Sequence, residues 1–208
     1  NMVRTLFEHG KGAMAQFAVH QDATGQARPR ALAVCKGIGC TRGGVFESSF
    51  REEAALDLFA EQVVWPVLTA WIRECFELGV EAGFSPELMV MELYASGETA
   101  EIMRAMAQNG FFRQMTHHST TSQYGTLSRG PELVTQALRA KAREMFLRDI
   151  RGGQFVREWS AEQARGSETL QALRQQALAH PMSQVELDVI AAIQSAHAVG
   201  TAAGKDRQ

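Results

Sequence analysis

Three cysteines in 208 residues, Cys35, Cys40 and Cys75, are an odd number without metal-type spacing. They argue against a disulfide framework and for a reducing compartment, the cytoplasm, with each thiol a small buried apolar group. There is no run of about eighteen apolar residues and no h-region near the N-terminus, so neither a membrane span nor a signal peptide is expected. Charge of one sign is also lacking: 21 Lys and Arg against 23 Asp and Glu leave a formal net charge of -2. That balance gives no electrostatic reason to expect nucleic acid or an anionic membrane as partner. No G-x-G-x-x-G follows a strand, no P-loop occurs, and we find neither an internal repeat nor a low-complexity segment.

What is present suits a compact, mainly helical protein. Hydrophobic residues make up 45% and charged residues 21% of the chain, enough to bury a core as one domain or one and a fraction. The character changes near residue 47. Before it, residues 13–21 read as a short buried strand, Asp22 to Gly25 as a turn or helix cap, residues 27–38 as a helix ending at Gly39, and residues 41–47 as a second extended piece. After Ser48 no strand alternation remains and apolar patterns of helical period take over. A first long helix is expected from about Phe50 to Ala82, kinked by Pro66. Ser85 and Pro86 mark the N-cap and first position of the next helix. Ser96-Gly97 is a weak spot, Asn109-Gly110 a C-cap, and residues 116–125 a loop or helix start. A further helix is expected over residues 131–150 with Pro131 in its first turn, then helices over 153–163, 167–180 and 182–196, and a frayed tail at 201–208.

Acidic residues are placed to do chemistry. Asp57 and Glu61 stand one helical turn apart, so both side chains leave the same face and can share a divalent cation; Glu53 extends that face by another turn. Such a cluster is either a solvated charged face or a metal site, because unpaired carboxylates are costly to bury. Glu92 and Glu98 form a second acidic pair. Six residues turn a regular helix by about 600°, leaving these two roughly 120° apart on its circumference.

The ordered series V19HQDATG25, A33VCKGIGCTRGGVFESSFREEAALDLFAEQ62, V80EAGFSPE87, S119TTSQYG125, G152GQFVREW159 and A179HP181 resembles the ketol-acid reductoisomerases over nearly the whole chain. The part covered is the family's C-terminal region with the end of its nucleotide-binding domain. The resemblance implies residues 1–47 as the remnant of an α/β, Rossmann-type domain, 48–200 as a helical, knotted domain that binds metal and substrate, and 201–208 as a tail. It implies Mg²⁺ and NADPH as cofactors, with NADPH held mainly by a domain outside this chain. A homodimer or larger assembly with a shared active site is implied too, acting on 2-acetohydroxy acids in branched-chain amino-acid biosynthesis.

Residue by residue, Asp57 and Glu61 match the family's metal-binding D-x-x-x-E pair, with Gln62 following as it does there, and Glu53 resembles an outer-shell acid. Counting forward from V80EAGFSPE87 places Glu92 on the first distal metal glutamate; counting back from S119TTSQYG125 places Glu98 on the second. The family spaces that pair by four residues, against six here. Either a bulge at Ser96-Gly97 brings both to one ion, or Tyr94 stands where the family has a glutamate. Ser119 matches the serine that hydrogen-bonds the substrate's carboxylate end, although an unplaced serine is more simply an N-cap. Glu61 and Ser119 are the candidate catalytic residues. His117 and His118 read as polar rim residues, and His20, His180 and His197 carry no functional signal. Trp65, Trp71, Phe59 and Phe76 read as core or subunit interface. The rival reading is a helical dimerisation module that has lost the cofactor domain and with it catalysis.

Overall fold

The computed structural model describes the backbone of residues 2–205 and the side chains of residues 2–195. The chain divides into two compact units, the first ending at Gln62 and the second beginning at Val63.

The first unit opens with α1 (Met2–Glu8) and holds two short strands, β1 (Ala15–Phe17) and β2 (Val45–Glu47). They pair in parallel, Ala15 opposite Val45 and Phe17 opposite Glu47. Parallel neighbours need a crossover, which α2 (Ala27–Gly37) and a 3-10 turn at Cys40–Arg42 supply. Asp22 starts that crossover. Its Oδ1 accepts from the backbone N–H groups of Gln26 at 2.9 Å, Ala27 at 3.1 Å and Thr24 at 3.3 Å, satisfying donors that the first helical turn leaves free. Ala13, Phe17, Cys35 and Cys40 form the buried core, so two of the three thiols are apolar filling as expected. Arg28 locks α2 to the sheet: its Nε donates to Glu47 at 2.9 Å and its guanidinium lies 5.7 Å from the Phe17 ring centre. Gly12 allows the two loops to cross, because a Cβ there would sit 2.2 Å from the Gly39 carbonyl oxygen.

Helix α3 (Phe50–Phe59) begins at Ser49, whose Oγ accepts from the Glu52 N–H at 3.1 Å. The kink expected at Pro66 takes the form of a π-turn over Ala60–Val64, after which α4 runs from Trp65 to Glu81. Proline has no N–H for the carbonyl four residues back and its ring crowds that carbonyl, and widening the preceding turn relieves both. The helical stretch Phe50–Glu81 is 32 residues long and, by length and composition alone, apolar enough to cross a membrane, with a window of mean hydropathy 1.2 of which only 6% is buried. The sequence pattern hid this because Asp57 and Glu61 interrupt the apolar run without lowering its average far.

The second unit continues through α5 (Pro86–Val90), a second π-turn at Met91–Ala95, and α6 (Glu98–Asn109). Ser85 caps α5 as expected, accepting from the Leu88 N–H at 3.4 Å. A 3-10 turn at Arg113–His117 leads to α7 (Thr120–Leu133) and α8 (Gln136–Met145). Pro131 therefore lies in the last turns of α7 and starts no helix. The new helix begins five residues later, where the Thr135 hydroxyl accepts from the Leu138 N–H at 3.2 Å. A third π-turn, Phe146–Arg151, precedes α9 (Gln154–Ala164), α10 (Glu168–Leu178) and α11 (Pro181–Lys205). The last helix extends through the first part of the segment expected as a tail; residues 206–208 lie outside the described residues.

Two side chains hold the C-terminal helices in place. Glu162 is buried and caps α10 from a distance, accepting from the Leu170 N–H at 3.0 Å and from Arg165 at 3.0 Å. These bonds, the Leu170 N–H foremost, hold its carboxyl below the usual range. His180 accepts at Nδ1 from the Met182 N–H at 3.2 Å, so Nε2 carries the proton that it gives to Glu77 of α4 at 3.0 Å. The core of this unit is Phe76, Val90 and Val189, ringed by Met89, Leu93, Tyr94, Met182 and Val185.

Candidate functional site

Asp57 lies near the end of α3 and Glu61 is the second residue of the first π-turn, where α3 widens ahead of Pro66. Both are exposed. Nine of the 22 acids with described side chains form an ion pair: Glu8, Glu47, Glu74, Glu77, Glu101, Glu132, Glu144, Asp149 and Glu162. Among the described residues Glu53, Asp57, Glu61, Glu92 and Glu98 are with those that form none, and no described side chain hydrogen-bonds their carboxylates. Carboxylates kept clear of arginine and lysine are free to take a hard cation. Glu53 also lines a groove of about 420 Å³ with Phe17, Phe46, Ser48 and Phe50.

Glu92 and Glu98 are not on one regular helix. Glu92 belongs to the second π-turn, Ser96 ends it, and Gly97 turns the chain at φ +86° before α6 begins at Glu98. The irregularity starts earlier than Ser96-Gly97, at Met91. A side chain at position 97 would be strained, since only glycine enters that region freely. Tyr94 does not join the acids: its hydroxyl donates to Glu186 of α11, and its ring packs in the core with Leu93 and Val185. Burial, then the Glu186 carboxylate, pushes the phenol well above its ordinary range.

Ser119 is the N-cap of α7, its Oγ accepting from the Ser122 N–H at 3.2 Å. That bond uses a lone pair and leaves the hydroxyl proton free to be donated. His117 lines a recess of about 530 Å³ with Gln108, Asn109, Arg113 and Thr116. His118 is half-buried, and its Nε2 meets Oε1 of the buried Gln114 at 2.6 Å. Nothing in the sequence marked Gln114, since one glutamine in a polar stretch looks like surface.

Among the described residues no three His, Cys, Asp or Glu side chains come together as one metal-holding group. The predicted residues fall into two sets, Glu53, Asp57 and Glu61 before Gln62, and Glu92, Glu98 and Ser119 after Val63. All the candidate metal donors are carboxylate oxygens, the chemistry that suits a magnesium-like ion and not a soft metal.

Residues 50–195 match the family model for the C-terminal domain of ketol-acid reductoisomerase, and residues 1–44 match that for the NADPH-binding domain of acetohydroxy acid isomeroreductase. A putative ketol-acid reductoisomerase 3 of Saccharolobus solfataricus is 41% identical over 192 residues, covering 90% of this chain and 56% of that protein. The solved structure of an NADH-preferring ketol-acid reductoisomerase from an uncultured archaeon superposes with a TM-score of 0.81 at 32% identity, again covering 90% of this chain and 56% of the other. The chain thus spans just over half the length of the relatives it matches, and by the family model over most of its residues it belongs to the ketol-acid reductoisomerase family.

Proposed function

We propose that this chain is the metal- and substrate-binding part of a ketol-acid reductoisomerase that converts acetolactate or acetohydroxybutyrate to a dihydroxy acid in branched-chain amino-acid synthesis. The observation that carries this reading is the set of unpaired carboxylates at the positions where the family binds metal. Asp57 and Glu61 would hold Mg²⁺ from α3 and its π-turn, with Glu98 and Glu92 supplying the distal oxygens and Glu53 orienting ligands or waters. Bound there, Mg²⁺ would polarise the substrate ketone and its neighbouring hydroxyl and stabilise developing alkoxide charge. Ser119 would donate its free proton to the substrate carboxylate and so fix the end that does not react.

The reducing equivalent would come from a nicotinamide dinucleotide held mainly by the rest of the cofactor domain, of which residues 1–47 form the end and 48–200 the helical partner. We take it as NADPH from the matching family model, while the structural relative prefers NADH. The test is the full-length protein with acetolactate and each reduced nucleotide. Oxidation of the nucleotide should require Mg²⁺ and stop with EDTA, and a protein inert with both nucleotides would overturn the reading.

The assembly we propose is a cytoplasmic homodimer, or a multiple of it, whose subunits complete each other's sites, with no nucleic acid or membrane as partner. From Val64, the last residue of the first π-turn, through α4 the apolar side chains Val64, Val67, Trp71 and Leu78 recur at helical spacing, each 42–56% exposed. A contiguous apolar stripe of that length marks an interface. An obligate one would bury on the order of 2,000 Å² or more. Sedimentation at micromolar concentration should show a dimer or larger, and a monomer at that concentration would sink the shared site.

A further inference from the structure

We propose that His118 is a second substrate-binding side chain beside Ser119, presenting its ring Nδ1 to the carboxylate and hydroxyl end of a 2-hydroxy acid. This rests on the reductoisomerase reading and adds to it a residue that the ordered motifs did not single out.

The hydrogen-bond directions fix which nitrogen is free. Gln114 is only 2% exposed, and its Nε2 donates to the Phe111 carbonyl at 3.4 Å, so its Oε1 is the atom turned toward His118. An amide oxygen only accepts, and His118 Nε2, at 2.6 Å, must therefore carry the hydrogen. Nδ1 has no partner among the described residues. In the neutral ring Nδ1 accepts, as a substrate hydroxyl requires; in the protonated ring it donates, as a carboxylate requires. The bond to Gln114 survives in both forms.

The backbone of the same residue is clamped too. Gln123 Nε2 donates to the His118 carbonyl at 2.9 Å, so glutamines four residues before and five after hold it, one residue ahead of the Ser119 cap. Gln114 and Glu162 are the buried polar side chains of the described chain. Burying an amide costs free energy unless it is hydrogen-bonded, and ordering a half-buried imidazole costs entropy. Glu162 offsets its burial by capping α10. Besides one bond to the turn it sits on, Gln114 contacts His118, so its burial is explained by holding that ring in one orientation and tautomer.

Two substitutions separate binding from scaffolding. His118→Gln retains a polar group where Nε2 meets Gln114 and lacks one at Nδ1; His118→Asn does the reverse. In the full-length enzyme with Mg²⁺, reduced nucleotide and acetolactate, His118→Gln should raise KM about ten- to a hundredfold, as expected for a lost hydrogen bond to a charged group, with Tm unchanged. His118→Asn should keep KM within a few-fold of wild type while Tm falls. A His118→Gln enzyme with wild-type KM, or an Asn variant that loses affinity as much as the Gln variant, would overturn the assignment. Calorimetry with Mg²⁺ and 2-hydroxy-2-methylpropanoate separates this from failure of the reaction itself. If the wild type turns over no acetolactate but binds that acid more tightly than His118→Gln does, His118 stands and the reaction falls; equal affinities overturn His118.

Discussion

Full-length protein carrying Asp57→Asn together with Glu61→Gln should fold normally and lose about a thousandfold or more in kcat, the scale of several kcal/mol of lost transition-state charge stabilisation. Both side chains are exposed and make no ion pair, so removing their charge takes no internal contact away. Surface changes of that kind shift stability by about 0.5 kcal/mol or less. The metal supplies the internal control. A ligand that binds only the folded state stabilises it by about 2.7 kcal/mol at a hundredfold excess over its dissociation constant. Wild-type protein should therefore melt higher with excess Mg²⁺, and the double variant should not. A Mg²⁺-dependent rise that survives in the variant would put the ion elsewhere, and no rise in wild type would count against a formed site.

How much of this was legible in the sequence depended on how far each cause lay from its effect. Ser85 before Pro86 and Asn109-Gly110 act on their own backbone within a few residues, and those helix limits stand where they were read. Pro66 was legible as a disturbance, but not the form it takes, since a kink and a π-turn both relieve a missing N–H and packing selects between them. The π-turn at Met91–Ala95 was harder still. Tyr94 within it bonds Glu186, a contact across 92 positions that no local pattern contains. Pro131 misled for the opposite reason: proline fits a first helical turn so well that its place late in α7 went unread, while Thr135 was the true cap.

The candidate site divides along the same line. The spacing of Asp57 and Glu61 was plain, because four residues on a helix is a local fact. That these carboxylates are unpaired is a property of where every arginine and lysine ends up, and only the folded chain reveals it. His118 illustrates the limit most clearly. Its partner Gln114 is just four residues away, yet a glutamine can bond in so many ways that the burial deciding this one depends on the surrounding fold.

Glu98→Gln and Glu92→Gln should each weaken Mg²⁺ binding, measured by calorimetry on the assembled full-length protein, by about tenfold or more, equivalent to about 1.4 kcal/mol. On a regular helix the pair would diverge by about 120° and only one could reach the ion. The chain is not regular there: a π-turn over Met91–Ala95 is followed by Gly97 at φ +86°, and Glu98 opens a new helix. Shared coordination would require a departure from a regular helix here, and Tyr94, turned into the core and bonded to Glu186, takes no part in it. Tyr94→Phe should accordingly leave Mg²⁺ affinity within a few-fold while lowering Tm. Removing two residues between Tyr94 and Gly97, which restores the spacing of the related enzymes, should preserve or improve affinity if geometry alone sets the site. If Glu92→Gln binds Mg²⁺ like wild type while Glu98→Gln does not, Glu98 serves alone and the π-turn only packs Tyr94; if neither substitution matters, the segment lies outside the site and the metal rests on Asp57 and Glu61.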